Sequence, residues 1–179
     1  LYFQDLVNDF ELVIQSAKEI EAKILVVPLV DNGAVTNTSQ FKLLKNTIES
    51  FYEKLEIYDI RIAFESDYSP ATLLEFIEEF DKEFVGINYD TGNSASLGYD
   101  VNEEFEKYGN RIINIHIKDR ILNGTTVRLG LGNTNFRDVF KQIRQINFKG
   151  NYILQTARSK EGKHFEELEN NLLFLNSYL

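Results

Sequence analysis

The sequence of 179 residues contains no cysteine, which excludes disulfides, thiolate metal sites and cysteine nucleophiles. Basic residues are also few: 19 Lys and Arg stand against 28 Asp and Glu, a net charge of −9. Phosphate backbones are bound by concentrated positive charge, so this balance argues against a general nucleic-acid-binding protein. No apolar run approaches the roughly 18 residues that a membrane-spanning helix needs, so we expect no membrane partner.

Signals for export and for a second domain are missing as well. The first residues are acidic and amphipathic rather than basic and then apolar, so we expect no signal peptide. No stretch rich in Pro, Gly and Ser divides the chain. A hydrophobic fraction of 43% and a charged fraction of 26% are typical of globular proteins. We therefore expect one soluble, acidic, cytoplasmic domain.

Residues 1–4, Leu-Tyr-Phe-Gln, match the end of a tobacco etch virus protease recognition site. We expect this segment to be the remnant of an expression tag, and the domain itself to run over 5–179.

Hydrophobic periodicity predicts helices that alternate with apolar strands. The predicted helices are 5–22, 41–55, 70–80, 103–108 with Asn102 as its cap, 136–146 with Asn135 as its cap, and 165–175. The predicted strands are 24–30, 60–64, 85–89, 112–117 and 152–154. Apolar strands joined by helices indicate an α/β fold with a parallel sheet covered by helices. Periodicity alone fits either a doubly wound open sheet or part of a TIM-type (β/α)₈ barrel.

Polar side chains at the ends of four strands favour the barrel. Glu65, Asp90, His116 and Gln155 each lie at the carboxyl end of a predicted strand, the end at which barrels carry their active sites. Carboxylate and imidazole ligands suit a divalent ion such as Mn²⁺, Mg²⁺, Co²⁺ or Zn²⁺. An imidazole inside an otherwise apolar strand also needs a partner, which adds weight to His116.

Five segments carry a resemblance to a known family. They are Val26-Val27-Pro28, Phe64-Glu65, Tyr89-Asp90-Thr91-Gly92-Asn93, His116-Ile117-Lys118-Asp119-Arg120 and Val127-Arg128-Leu129-Gly130-Leu131-Gly132-Asn133. In this order they resemble the xylose-isomerase-like barrel superfamily, in particular its sugar and sugar-phosphate isomerases and epimerases. The resemblance implies a metal-binding protein of carbohydrate metabolism.

The resemblance also implies roles for single residues. Glu65, Asp90 and His116 correspond to three of the family's four metal ligands, and Gln155 stands where the fourth, a glutamate, is expected. Glu65 would additionally be the catalytic base.

Five further residues are implied to bind substrate. Asn93 lies where many members have a substrate-contacting histidine, and Arg120 resembles the arginine that orients a substrate oxygen. Lys118 and Arg128 could pair with a phosphate, and Arg158 could reach an anionic group at the rim.

Two departures from the family pattern matter. Gln155 has no carboxylate and cannot act as a general acid or base, so a two-base epimerisation should be impaired. A one-base reaction by Glu65, such as a dehydration or a cis-enediol isomerisation, stays open. The second departure is length, because a full barrel needs about 250 residues and only five βα units are visible. An omitted N-terminal part, a second chain, or a half-barrel that forms a homodimer would each complete or cover the sheet.

Two functions therefore remain open. The first is a metal-dependent isomerase or epimerase that transfers a proton next to a metal-polarised carbonyl of a sugar or sugar phosphate. The alternative is a catalytically degenerate half-barrel that acts as a binding or assembly module. The superfamily's DNA-repair branch is disfavoured, because it uses several histidines and this chain has two, with a charge of −9.

Overall fold

A five-stranded parallel sheet organises the fold in the computed structural model, which describes residues 2–159 and 162–179. Its strand order is β1-β2-β3-β4-β7, and within the described residues it stays open, with β1 and β7 at the edges. The predicted parallel α/β sheet is thus confirmed. The strands are β1 Ile24–Leu29, β2 Arg61–Ser66, β3 Val85–Asp90, β4 Ile112–Ile117 and β7 Tyr152–Leu154. A separate antiparallel hairpin joins β5 Asp119–Arg120 to β6 Thr126–Val127.

Eight α-helices connect and cover these strands in the described part of the chain. They are α1 Tyr2–Glu19, α2 Thr38–Glu49, α3 Tyr52–Tyr58, α4 Pro70–Glu78, α5 Thr91–Leu97, α6 Val101–Tyr108, α7 Phe136–Gln145 and α8 His164–Asn176. Single 3₁₀ turns lie at Asp31–Gly33 and Gly109–Arg111. The helix predicted over 41–55 is two helices, and α5 was not predicted. No described helix has the length and apolar character needed to cross a bilayer.

One of the two predicted helix caps is confirmed and the other is wrong. Asn135 caps α7 as predicted, since its side chain accepts from the backbone N–H of Asp138 at 3.2 Å. Asn102 is wrong as the cap of α6, which starts two residues earlier. There Asp100 accepts from the N–H groups of Asn102 and Glu103 at 2.9 and 3.0 Å. Aspartate and asparagine are equally good caps, and the carboxylate adds a favourable charge at the helix N-terminus.

The chain divides into two compact units, the first made of residues up to 66 together with 75–87. In this unit β1 pairs with β2 in a register that sets Pro28 opposite Glu65, and β2 pairs with the start of β3 through Phe64 and Ile87. Aromatic rings dominate its core. Phe64 is fully buried, and its ring centroid lies 5.4 Å from that of Phe76 in an edge-to-face contact.

The second unit is made of residues 67–74 and 88–179 and carries the end of β3, β4 and β7. Here His116 of β4 is opposite Ile153 of β7. Its core lies under α7, where Val139 and Phe140 are buried and the Phe140 ring stacks on Tyr178 at 5.3 Å. The strands of this unit end in most of the residues that the sequence marks as functional.

Candidate metal centre

Asp90 ends β3 and also begins α5. Its Oδ1 atom accepts from the backbone N–H groups of Gly92 and Asn93 at 2.9 and 2.8 Å, so the carboxylate caps the helix. The Asp90 side chain is 1% exposed. Because the cap uses Oδ1, the second oxygen, Oδ2, is held in a fixed direction.

His116 lies beside Asp90 on the neighbouring strand. Its Nδ1 atom is 4.0 Å from Asp90 Oδ2 and 3.1 Å from the side-chain nitrogen of Asn88. Asn114 donates to the Asn88 oxygen at 2.7 Å, which orients the Asn88 amide with its nitrogen toward the ring. With that orientation Nδ1 accepts through its single lone pair, so a metal that uses Nδ1 would replace the Asn88 donor.

The sequence analysis missed Asn88 and Asn114, although a signal was present. Side chains two apart on a strand point to the same face, so Asn88 shares a face with Asp90, and Asn114 shares one with His116. Both asparagines are buried at 2% and 4% exposure. The buried amides two residues before Asp90 and His116 form a hydrogen-bonded layer beside these two residues.

Lys118 reaches the same place from the end of β4. Its ammonium is 3.3 Å from Asp90 Oδ2, 3.4 Å from the Asn93 side-chain oxygen and 2.8 Å from Gln155 Oε1. Gln155 directly follows β7, where its N–H continues the ladder by donating to the carbonyl of Ile117 at 3.0 Å. The structure thus brings Asp90, Lys118, Asn93 and Gln155 together.

Arg120 joins this group through Asn93. Its Nη1 atom donates to the Asn93 oxygen at 2.9 Å, while Nε and Nη2 donate to the carbonyl of Gly124 at 3.1 and 2.8 Å. The guanidinium therefore binds the turn of the β5–β6 hairpin, and its Nη1 atom contacts Asn93 beside Asp90.

The glycine-rich motif after the hairpin surrounds a buried carboxylate rather than a ligand. Asp119 accepts from the N–H groups of Gly130 and Gly132 at 2.9 and 2.8 Å and of Thr134 at 3.0 Å. Gly132 must lack a side chain, because a Cβ there would lie 2.2 Å from the Asp119 oxygen. Through these hydrogen bonds to Asp119, the motif is attached to the segment that carries Lys118 and Arg120.

Arg128 and Arg158 lie elsewhere in the second unit. Both line a cavity of about 590 Å³ whose walls also include Lys163, Glu166 and Glu167. Arg128 Nε donates to Glu167 Oε1 at 2.7 Å. No hydrogen bond among the described residues links either arginine to Asp90 or His116.

Glu65 belongs to the first unit, where it is buried near the end of β2. It follows Phe64, which is opposite Ile87 of β3 in that unit.

A buried carboxylate, that of Glu104, contacts residues on either side of Asp90. Glu104 of α6 is 2% exposed and accepts from the hydroxyls of Tyr89 at 2.8 Å and Tyr108 at 2.7 Å, and also from the hydroxyl of Ser94. Burial raises the pKa of Glu104, and the three hydroxyl donors oppose that rise. Burial also raises the pKa values of both tyrosines. The cluster connects α6 to β3 and α5, and it was not predicted from the sequence.

The donor set at Asp90 and His116 fits a divalent ion. Two neighbouring ligand atoms about 2.1 Å from a tetrahedral ion lie about 3.4 Å apart, and Oδ2 and Nδ1 are 4.0 Å apart, so a small side-chain movement would bring both to one ion. A carboxylate oxygen and a neutral imidazole are ligands that Mn²⁺ and Zn²⁺ accept. Asn88 donates to Nδ1 of His116, and a metal bound at Nδ1 would take the place of that donor.

Comparison with protein families finds one model over nearly the whole chain. The model, described as xylose isomerase-like TIM barrel, matches residues 4–178. Among individual proteins, an uncharacterised protein of Methanocaldococcus jannaschii is 24% identical over 171 residues. The match takes in 87% of this chain and 58% of that protein, so the chain spans under two thirds of its relative's length.

Solved structures show the same fold. A zinc-bound IolI protein superposes with a TM-score of 0.80 at 17% identity, over 98% of this chain and 69% of its own. A xylose isomerase-like barrel protein of Mycobacterium smegmatis with magnesium gives 0.73 at 19%, over 98% and 68%. The 3-keto-D-glucoside 4-epimerase of E. coli gives 0.76 at 16%, over 96% and 70%. At these identities the likeness establishes the fold.

Proposed function

Because the chain belongs to the xylose isomerase-like TIM barrel family, we propose that it is a metal-dependent isomerase or epimerase that transfers a proton within a sugar or sugar phosphate. The observation that carries the proposal is the pair of Asp90 Oδ2 and His116 Nδ1, 4.0 Å apart. The Asp90 carboxylate is oriented by two buried backbone N–H groups, and His116 Nδ1 is oriented as an acceptor by Asn88.

The proposed metal ligands are Glu65, Asp90 and His116, with the amide oxygen of Gln155 as the fourth. Glu65 lies one residue before the end of β2, Asp90 ends the adjacent strand β3, and His116 lies on β4, the next strand of the sheet. Zinc and magnesium in two similar structures support a divalent ion here, with Mn²⁺ and Co²⁺ as further candidates. When bound, such an ion supplies a Lewis acid for a carbonyl and a hydroxyl oxygen.

Glu65 is the proposed general base, which removes the proton from the carbon next to the carbonyl and can return it. Gln155 cannot share this task, because an amide neither takes up nor gives a proton near neutral pH. Losing one acid–base partner costs about 10²–10⁴-fold, so we expect one-base chemistry. Cis-enediol isomerisation and dehydration, a lyase reaction, both need one base. An epimerase activity is a property of the similar E. coli protein, and it supports the reaction class only.

Substrate contacts are assigned to five polar side chains. Asn93, Lys118 and Arg120 meet one another beside Asp90, where they can orient substrate hydroxyls. Arg128 and Arg158 line the 590 Å³ cavity, which has room for a sugar-sized group. We assign that cavity to an anionic end of the substrate, such as a phosphate. The substrate is thus a small molecule, and neither nucleic acid nor membrane is a proposed partner.

Replacing Glu65 by Gln tests the base. Wild-type chain with Mn²⁺ in D₂O is expected to exchange deuterium into the C–H bond next to the carbonyl of one member of a panel of aldoses, ketoses and their phosphate esters. E65Q should lose at least 10²-fold of that exchange rate, because the amide cannot accept the proton. Proton NMR follows the C–H signal.

The matched control is Glu56→Gln, at an exposed position of α3. E56Q should exchange at the wild-type rate. If E65Q exchanged deuterium as fast as E56Q, Glu65 would not be the general base. Absence of exchange and of metal binding in the wild type would favour the alternative, a binding or assembly module, and light scattering would then show whether the chain pairs as a homodimer.

A further inference from the structure

We propose that Lys118 competes with a divalent ion for the side-chain oxygens of Asp90 and Gln155, so that a bound ion would release the Lys118 ammonium toward the substrate. The inference rests on the proposed function, because it assumes a metal held by Asp90 and His116. The inference gives Lys118 two roles: it lowers the affinity for the metal, and it contacts the substrate only when the metal is bound.

The Lys118 ammonium has one acceptor oxygen nearby for each of its N–H donors. Its three N–H groups face three side-chain oxygens, from Asp90 at 3.3 Å, Asn93 at 3.4 Å and Gln155 at 2.8 Å. These oxygens come from the end of β3, from α5 and from the residue after β7. The Lys118 side chain is 16% exposed, so it is not a solvated surface charge.

The backbone fixes Lys118 at this place. The Lys118 N–H donates to the Thr91 hydroxyl at 2.9 Å, and that hydroxyl donates to the Lys118 carbonyl at 2.6 Å. Gly92 leaves room for the side chain to pass, since a Cβ there would lie 2.7 Å from Lys118 Cγ. The lysine is therefore directed toward Asp90 by the local fold.

The competition follows from which atoms are shared. Asp90 Oδ1 is taken by two backbone N–H groups, so Oδ2 is the oxygen that both Lys118 and a metal near His116 would use. Gln155 offers one oxygen as a ligand, and that oxygen accepts from Lys118. A divalent ion on these atoms would also lie close to a positive charge, which is unfavourable at short range in a partly buried site.

Release of Lys118 has a consequence for the substrate. The ammonium neutralises the buried Asp90 carboxylate and donates to Gln155. Once displaced, its three donors can bind hydroxyl or phosphate oxygens next to the metal. Metal loading and substrate binding are then coupled through one side chain.

The test is calorimetric titration of Mn²⁺ into metal-stripped K118M, which keeps side-chain length and removes the charge. K118M is expected to bind Mn²⁺ at least tenfold more tightly than the wild type. The matched control is Lys149→Met, at an exposed position before Gly150, which should bind like the wild type. Equal or weaker binding by K118M, with a wild-type circular dichroism spectrum, would overturn the inference.

A second measurement uses the unmodified chain and so does not depend on a variant folding. Acetylation by an N-hydroxysuccinimide ester, followed residue by residue by mass spectrometry, should modify Lys118 several-fold faster with saturating Mn²⁺ than without it, relative to Lys149. An unchanged ratio would overturn the inference while metal binding by the wild type still stands. Failure of both the wild type and K118M to bind Mn²⁺ would instead refute the metal site itself, and this inference with it.

Discussion

Asn88 shows how a single buried amide can prepare a metal ligand. It receives a hydrogen bond from Asn114 at 2.7 Å and directs its own nitrogen to Nδ1 of His116 at 3.1 Å. An amide nitrogen only donates, so Asn88 keeps Nδ1 without a proton, and a metal would replace Asn88 at that lone pair. The two asparagines thus set the acceptor state of Nδ1.

Asn88→Asp should weaken metal binding. An aspartate at this position accepts rather than donates, so it draws a proton onto Nδ1 of His116, which a metal must then displace. We expect a loss of about 10- to 100-fold in Mn²⁺ affinity, the usual cost of changing a residue behind a metal ligand. Calorimetry measures the affinity, and Asn110→Asp at an exposed position serves as the matched control. Wild-type affinity in N88D would show that Asn88 has no such role.

At the scale of elements, the site depends on how α5 and α6 are attached to β3. Asp90 caps α5, and Glu104 of α6 accepts hydrogen bonds from Tyr89 and Ser94 on either side of it. Helix α5 is built from Thr-Gly-Asn-Ser-Ala-Ser-Leu, a sequence with low helix propensity. It is helical because of the cap and of its packing, so the carboxylate cluster contributes to the position of Asp90.

The Glu104 cluster makes a prediction about pH. Burial raises the pKa of Glu104 above 4.5 in the folded state, so its contribution to stability is complete below pH 4.5 and is lost as pH rises through the raised value. Glu104→Gln stays neutral throughout. The free energy of unfolding of E104Q relative to wild type should therefore increase from pH 4.5 toward pH 7, as measured by urea unfolding at each pH.

The control for this series is Glu106→Gln, an exposed position on the same helix. Its difference from wild type is expected to stay flat over the same range. A flat difference for E104Q as well would mean that burial does not disfavour the ionised carboxylate.

The elements differ in how far the sequence predicts them. Strands β1 to β4 are near-continuous apolar runs, and Asn135 is a clear cap, so these were predicted correctly. The break between α2 and α3 near Phe51 has neither Pro nor Gly to signal it. Helix α5 was missed because its residues favour turns, and the hairpin of β5 and β6 has only two residues in each strand. Tertiary contacts decide such elements.

At the scale of the whole molecule, the sequence predicted the parallel sheet and the strand ends at which polar residues collect. It could not predict which of them meet. Lys118 and Gln155 are 37 positions apart, and their 2.8 Å contact depends on the pairing of β4 with β7. The cavity that contains Arg128 and Arg158 could not be predicted either, because it is lined by residues of the hairpin and of α8 that are far apart in the sequence.

The family match covers residues 4–178, while the structures that this chain resembles are longer by roughly a third or more. The sheet described here ends in β1 and β7. A functional site in this chain therefore requires that these five strands assemble a metal centre.

The most direct test is calorimetric titration of Mn²⁺ and Zn²⁺ into the metal-stripped wild type, His116→Ala and His164→Ala. The two histidines of the chain give a matched pair, since His164 is exposed at the start of α8. We predict one ion bound per chain in the wild type and in H164A, and loss of that binding in H116A. Binding that persists unchanged in H116A, or that is absent from the wild type, would contradict the account.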